Sequence, residues 1–364
     1  MKIKKLETYT RDEASIVKVV TDNGKEGIGQ TSPYNADITA EVFHRQVVPH
    51  VLGKDPLQIE NLVEEVLEKE YKFPGSYMCR AVCGLDTALW DLKGKLEGKS
   101  VCELVGGTPE DIRVYGSSMR RDISPAEEAS RLKKLRDEYG YKAFKIRIGS
   151  VCGHNKDQWP GRTEKIVPTV REALGENIEL LVDANSCYTS EKAVEVGKML
   201  EGNNVFHFEE PCPYWKIDWT AKVTKSLDSY ELMVAGGEQD NSIEQWKRIV
   251  KRNVVNIAQP DICYLGGFSR AYKVAQMAAE EDLICIPHSA NLSLVTVFTM
   301  HLLNSIPNAG PFMEYSIEET PWVDGLFQPQ LKVEDGKAAF PEGPGWGVEI
   351  NPEWLAKTDY RISE

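Results

Sequence analysis

From about residue 112 to 316 the chain repeats one unit: a short apolar, β-prone run, a turn, then a helical pattern. Candidate strands lie near 112–119, 143–149, 179–185, 205–210, 233–238, 254–261, 283–288 and 312–316. Helical periodicity fills the intervals at 164–174, 190–200, 215–227, 242–253, 268–282 and 293–305. Ser124-Pro125-Ala126-Glu127 is a capping box with proline at the first helical position, and Gly140 ends that helix. Ser242 and Gln245 form a second such pair. Eight strand–helix units with no homogeneous linker predict an α/β chain closed into one parallel barrel, not a doubly wound open sheet.

The strand ends carry the chemistry. Asp183, Glu209 and Glu238 close three successive runs, spaced 26 and 29 residues apart, the chain length of one repeat. In a barrel such ends meet at one mouth. Carboxylates crowd together there when a cation neutralises them, which points to an all-oxygen site for a divalent metal, Mg²⁺ by preference. On spacing alone, three unrelated acids at helix N-termini fit as well, because the helix dipole favours them.

Residues two apart on a strand share a face. Lys145 and Arg147 therefore point inward together while Phe144, Ile146 and Ile148 face the helices. Asp183 shares its face with Asn185, and Glu209 with His207, which reads as a satisfied interior histidine and not a ligand. Glu210 points the other way or lies in the turn. Asp261 and His288 end neighbouring strands, an arrangement in which the acid fixes the tautomer and raises the basicity of the ring. Glu314 ends the eighth strand, either as a protonated donor in a crowded acidic site or as the partner of a cation. A hard cation, an oriented base, two inward cations and a spare carboxyl suit removal of a proton α to a carboxylate. The enediolate that results carries two negative oxygens that such groups stabilise. There is no Gly-x-Ser-x-Gly elbow, phosphate-binding P-loop or Gly-x-Gly-x-x-Gly fingerprint.

Before the barrel, residues 1–31 predict a small antiparallel sheet, with β-prone runs at 14–21 and 25–30 flanking Asp22-Asn23-Gly24. Helical patterns follow at 38–71, with breaks, and at 80–97. Loops at 30–38 and 72–78 carry Tyr34, Phe73, Tyr77 and Met78, which suit a lid over the mouth and are the candidate substrate contacts, together with Asn185. Arg120, with Arg121 beside it, is placed to bind a distal carboxylate. Among the 364 residues the formal net charge is −13, which argues against nucleic acid or an anionic membrane as partner and leaves a small carboxylate substrate. The eight cysteines form no Cys-x-x-Cys pair, the start lacks a long apolar core, and no run of about 18 apolar residues occurs. A cytoplasmic location is expected.

In this order and spacing, the residues resemble the enolase superfamily, and within it the mandelate racemase-like subgroup. The segment from Gly84 to Gly107, Gly-Leu-Asp-Thr-Ala-Leu-Trp-Asp-Leu-Lys-Gly onward, looks like the family's capping-domain helix; Pro341-Glu-Gly-Pro-Gly-Trp-Gly-Val348 resembles its C-terminal return. The resemblance implies a (β/α)7β barrel at 112–320, an N-terminal α+β capping domain at 1–111, and a segment at 321–364 returning to it. It also implies Mg²⁺ held by Asp183, Glu209 and Glu238, one ion per subunit, an Asp261–His288 dyad, Glu314 on the substrate carboxylate, and a homo-oligomer, dimer or octamer. Members of the subgroup that racemise often carry Lys-x-Lys on the second barrel strand; here it is Lys145-x-Arg147. Arginine stays protonated near neutral pH and is a poor base. The expected reaction is therefore dehydration of an aldonate or aldarate sugar acid to a 2-keto-3-deoxy acid. His288 would act first as base and then as acid. A racemase or epimerase is the alternative, and a metal-holding barrel with a binding or sensory role a third reading.

Overall fold

The computed structural model describes residues 1–364. The chain opens with β1 (Ile3–Arg11), β2 (Ala14–Thr21) and β3 (Glu26–Gln30), antiparallel in that order. The C-terminal strand Asp359–Ser363 pairs with the free side of β1. Two of these strands match the expected hairpin. β1 has no clean apolar alternation: its buried residues, Ile3, Leu6, Glu7 and Thr8, fall on both faces of the strand. Helix Ser76–Glu97 lies across the sheet, begun earlier than its apolar pattern suggests. At Gly27 an added Cβ would stand 2.2 Å from the Ala88 carbonyl oxygen, and at Gly29 2.3 Å from Thr87 Oγ1. Only glycine lets β3 approach that helix so closely.

The barrel strands are β4 (Ile112–Ser117), β5 (Ala143–Arg147), β6 (Glu179–Asp183), β7 (Val205–Glu209), β8 (Met233–Gly236), β9 (Ile257–Ala258), β10 (Ile284–Cys285) and β11 (Met313–Ser316). They run parallel in chain order from β4 to β10, and β11 pairs with the other side of β4. The ring is joined between β10 and the approach to β11: the Cys285 N–H donates to Asn308 O at 2.8 Å, and the Cys285 carbonyl accepts from the Gly310 N–H at 2.9 Å. Helices separate successive strands, and after β11 only the 3-10 turn Pro321–Val323 and the four-residue helix Pro352–Leu355 of the C-terminal segment follow, which gives the (β/α)7β order. β9 and β10 are shorter than their apolar runs because Pro260 and Pro287, at their ends, have no N–H for the ladder. The Ser124–Glu127 capping box forms in full. At Ser242 only half forms: Oγ accepts from Gln245 N–H, while the Gln245 side chain accepts from Arg248.

Alternation sorts the barrel side chains. Phe144, Ile146 and Ile148 join the main core under the helices. Tyr115, Ala143, Leu181, Ala235, Ile257, Ile286 and Phe312 form a separate apolar layer inside the ring. That layer plugs the lower barrel, so polar residues one step further along the strands stand at the carboxyl-end mouth. The C-terminal segment locks capping domain to barrel. Trp346, fully buried, donates its indole N–H to Thr87 O at 2.9 Å and its backbone N–H to Asp91 at 3.1 Å. His301 on the last barrel helix reaches the Trp346 carbonyl at 3.2 Å. No helix is long and apolar enough to cross a membrane.

Candidate active site

Lys145, in the middle of β5, is wholly buried and spends its ammonium on carboxylates: Glu209 at 2.7 and 2.9 Å and Glu314 at 2.6 Å. Burial alone would lower its pKa, but Glu209 and Glu314 outweigh it and hold the lysine above its usual range. Glu314 also accepts from Ser117 Oγ at 2.7 Å and from the Ser289 N–H at 2.8 Å. Burial pushes it up, yet Lys145 and His288 bring it down to about 2. Of its two expected roles, the structure selects the ionised partner of a cation. Arg147 pairs with Asp183 and donates to Asn185 Oδ1 at 2.9 Å and to Ser118 O at 3.1 Å.

Across the mouth, His288 Nδ1 lies 2.7 Å from Asp261 Oδ2, and its Nε2 lies 3.3 Å from Glu238. Asp261 is fixed by its second oxygen, which accepts from the Tyr264 N–H at 2.8 Å and caps the short helix Ile262–Leu265. Burial disfavours the charged ring, but Glu238 and the Asp261 hydrogen bond together raise His288 to about 10. As long as Glu238 is uncompensated, the ring holds its proton at neutral pH; a cation on Glu238 removes that pull and leaves Nε2 free to act as the base, with Nδ1 kept on Asp261.

Asp183, Glu209 and Glu238 stand at adjacent strand ends but are not drawn to a common point: no three His, Cys, Asp or Glu side chains form a finished cage. Asp183 turns to Arg147 and Asn185; Glu209 turns to Lys145, to His207 at 3.0 Å and to Gln259 at 2.9 Å; Glu238 turns to His288. The donor set nevertheless fits a hard cation. Six carboxyls (Asp183, Glu209, Glu210, Glu238, Asp261, Glu314) face Lys145, Arg147 and His288. Glu210 Oε1 is buried with no partner, and Glu238 Oε2 makes no hydrogen bond, only the ion-pair contact with His288 at 3.3 Å. Burial raises both acids, and repulsion from neighbouring carboxylates adds to it. An excess of buried negative oxygen is relieved by a divalent ion with all-oxygen coordination.

The matches to known families agree with this geometry. Residues 127–354 match the enolase C-terminal domain-like model, and residues 4–106 match the mandelate racemase / muconate lactonizing enzyme N-terminal domain. The chain belongs to the mandelate racemase/muconate lactonizing enzyme family of the enolase superfamily. It is 31% identical to D-galactarolactone cycloisomerase of Agrobacterium fabrum, over 98% of this chain and 93% of that one. Arabinonate dehydratase of Saccharolobus solfataricus is 28% identical, over 93% of this chain and 88% of its own. A crystal structure from Roseobacter denitrificans, provisionally designated a racemase, is 53% identical, covers both chains fully and superposes with a TM-score of 0.97.

Within this family member, several expected contacts lie elsewhere. Arg120 pairs with Asp122 at the surface, at 2.6 and 2.7 Å, and does not face the mouth. Its neighbour Arg121 is the inward one, donating to Gly149 O and to Asn185 Oδ1 at 2.6 Å. Consecutive residues after a strand point apart, so only one of the pair could turn in. Phe73 lines an open groove of about 510 Å³ on the flank of the molecule, with Arg270 and Lys247. Met78 is buried in the core, and Tyr77 is 39% exposed without a side-chain hydrogen bond. Phe73 and Met78 are thereby accounted for away from the mouth. Tyr34 does stand near it, edge-on to Trp322, its phenol raised by burial and by the charges of Glu13 and Asp261. Asn185 bridges Arg147, Arg121 and Asp183. Two expectations for β7 also change. Glu210 does sit in the turn, at φ 40°, but its carboxyl stays buried beside Glu238. His207 bonds Glu209, and its Nδ1 has no partner. Gln259 and Arg80 went unread; Gln259 was legible, being two residues before Asp261 on the same face.

Proposed function

We propose that this protein dehydrates a hydroxylated sugar acid, an aldonate or aldarate, to a 2-keto-3-deoxy acid with Mg²⁺ as cofactor. The observation that carries the reading is the asymmetry of the mouth. One side holds a base with its orienting acid, His288 and Asp261. The opposite side holds Lys145 and Arg147, both engaged by carboxylates. Lys145 donates to three carboxylate oxygens and Arg147 is ion-paired, so neither has a lone pair to accept a proton.

His288 Nε2 takes the α-proton, and Asp261 steadies the imidazolium that forms. The electron pair moves into the carboxylate to give an enediolate. Lys145, itself held by Glu314, places a positive charge beside those oxygens. Asp183, Glu209 and Glu238 would hold Mg²⁺, which supplies further charge stabilisation to the developing enediolate. The imidazolium then returns its proton to the departing β-hydroxyl, so that water leaves as the C–O bond breaks. The resulting enol ketonises with a proton taken up at C3. Arg147 and Asn185 are placed to hold a hydroxyl of the chain. The dehydratase relative supports this reading.

The name carried by the 53% identical structure favours a second reading, epimerisation through two bases. It requires Lys145 to be neutral, against its contacts with Glu209 and Glu314. Incubation of a panel of four- to six-carbon aldonates and aldarates with Mg²⁺, followed by 2-keto acid detection, tests the proposal. At least one acid is expected to give a 2-keto-3-deoxy product, and His288→Asn to lower that rate by about 10³-fold or more. Inertness of every acid while another carboxylate is epimerised without loss of water would overturn it.

A further inference from the structure

The capping domain contributes one cation to the dyad side of the mouth. Arg80, in the first turns of helix Ser76–Glu97, lays its guanidinium 3.5 Å from the centre of the Tyr264 ring. That ring is 5.7 Å from the His288 imidazole, and the Tyr264 backbone N–H holds Asp261. Burial and the charge of Asp261 raise the Tyr264 phenol, and Arg80 offsets part of the rise.

Arg80 differs from the other arginines that are buried or half-buried. Arg131 is paired with Glu128 and Glu318, Arg270 with Glu64, and Arg147 with Asp183. Arg121 spends its donors on the Ile148 and Gly149 carbonyls and the Asn185 amide oxygen, and Arg162 and Arg171 spend theirs on backbone carbonyls. Arg80 has one side-chain acceptor, the neutral Ser32 hydroxyl at 2.6 Å, and no carboxylate partner. A partly desolvated guanidinium stacked on an aromatic ring is preorganised, and its planar fork matches a carboxylate. Ser32 fixes it from the segment that also carries Tyr34, so the loop and the cation form one wall.

We infer that Arg80 binds the second carboxylate of a diacid substrate, so that the sugar acid taken by this enzyme is an aldarate and not an aldonate. The inference rests on the sugar-acid reading above and narrows it. The reacting carboxylate lies toward Lys145, the α-carbon lies under His288, and the far end of the chain reaches the capping-domain wall. Without Arg80 that end would meet only the acids of the dyad side, Asp261 and Glu238, which repel it.

Binding is measured by calorimetry with Mg²⁺ in a His288→Asn background, where turnover does not interfere. The probes are galactarate, glucarate and mannarate against galactonate, gluconate and mannonate. The tightest diacid is expected to bind about 30-fold more strongly than its monoacid, as a charge-assisted pair provides. Arg80→Met should erase that gap while leaving monoacid affinity within about threefold, and Arg80→Lys should restore part of it. Three results would overturn the inference: a monoacid bound as tightly as its diacid, a gap that survives Arg80→Met, or an Arg80→Met variant that loses both classes equally. In wild-type enzyme, dehydration of aldonates alone would remove Arg80's role and leave the dehydratase reading intact. Failure of all six acids to bind would remove both.

Discussion

The seam between capping domain and barrel and the mouth of the barrel bury polar groups to opposite effect. At the seam every such group is matched. Asp91 accepts from the N–H groups of Ile28 and Trp346, Trp90 donates to Ser269, and Ser269 donates to Asp86. His301 accepts from the Cys102 N–H at 3.1 Å and donates to Trp346 O, which requires the neutral Nε2–H tautomer. In the mouth and just below it, Tyr115 Oη, His207 Nδ1, Glu210 Oε1 and Gln259 Oε1 lack partners, and Glu238 Oε2 has only its ion-pair contact with His288. Only two other buried side-chain atoms in the chain are left so, which locates the strain. A satisfied network specifies one packing; an unsatisfied acidic one is held in place by the fold for something it has yet to bind.

The largest effect that sharpens this contrast is expected at Glu238. Glu238→Gln should lower activity by about 10³-fold. It should leave metal-free stability unchanged or higher, because a neutral amide replaces a repelled carboxylate. The parent should gain about 2.7 kcal/mol from Mg²⁺ at 100 times its Kd, and the variant should not. Thermal unfolding with and without Mg²⁺, alongside rate measurements, reads all three. An active variant of lower stability would break the contrast.

At the seam the expected signature is acid sensitivity. Burial lowers His301 to about 3, below the ordinary histidine value that it takes on unfolding. The unfolded chain therefore binds a proton that the folded chain refuses. Stability is full above about pH 6.5 and falls as the pH drops toward 3, by about 2 kcal/mol at pH 5 from this ring. His44, also lowered by burial, to about 4, acts in the same direction. Denaturant titrations at about pH 7.5 and pH 5 should show a smaller loss for His301→Gln than for the parent, with the reaction rate at neutral pH little changed. The smallest effect is expected at Arg120, whose partner is the exposed Asp122. Arg120→Ala should leave both KM and the unfolding temperature unchanged, whereas a raised KM would return this residue to the substrate.

What the sequence made legible follows from periodicity. Two-residue alternation on the strands placed Lys145, Arg147, Asp183, Glu209 and Glu314 at one end of one barrel, because a one-residue slip would have buried charges in the Phe144 and Ile146 layer. The proline after Gln259 and after Ile286 marked strand ends, and hence the dyad. Loops have no such period. Residue type alone singles out Phe73 and Met78, yet the segment between helices Ile59–Lys69 and Ser76–Glu97 carries Phe73 to the flank, and the first turn of the second helix buries Met78. Arg80 went unread because a helix exposes residues in every direction. Only tertiary packing shows that this one meets Tyr264.

The most direct measurement runs the reaction in D₂O with Mg²⁺ and locates deuterium by NMR in substrate and product. Proton abstraction by His288 followed by loss of water predicts a 2-keto-3-deoxy acid with solvent deuterium at C3. Recovered substrate should show no inversion at C2. Deuterium at C2 of a recovered epimer, with no keto acid formed, would contradict the account and make the mouth a two-base site.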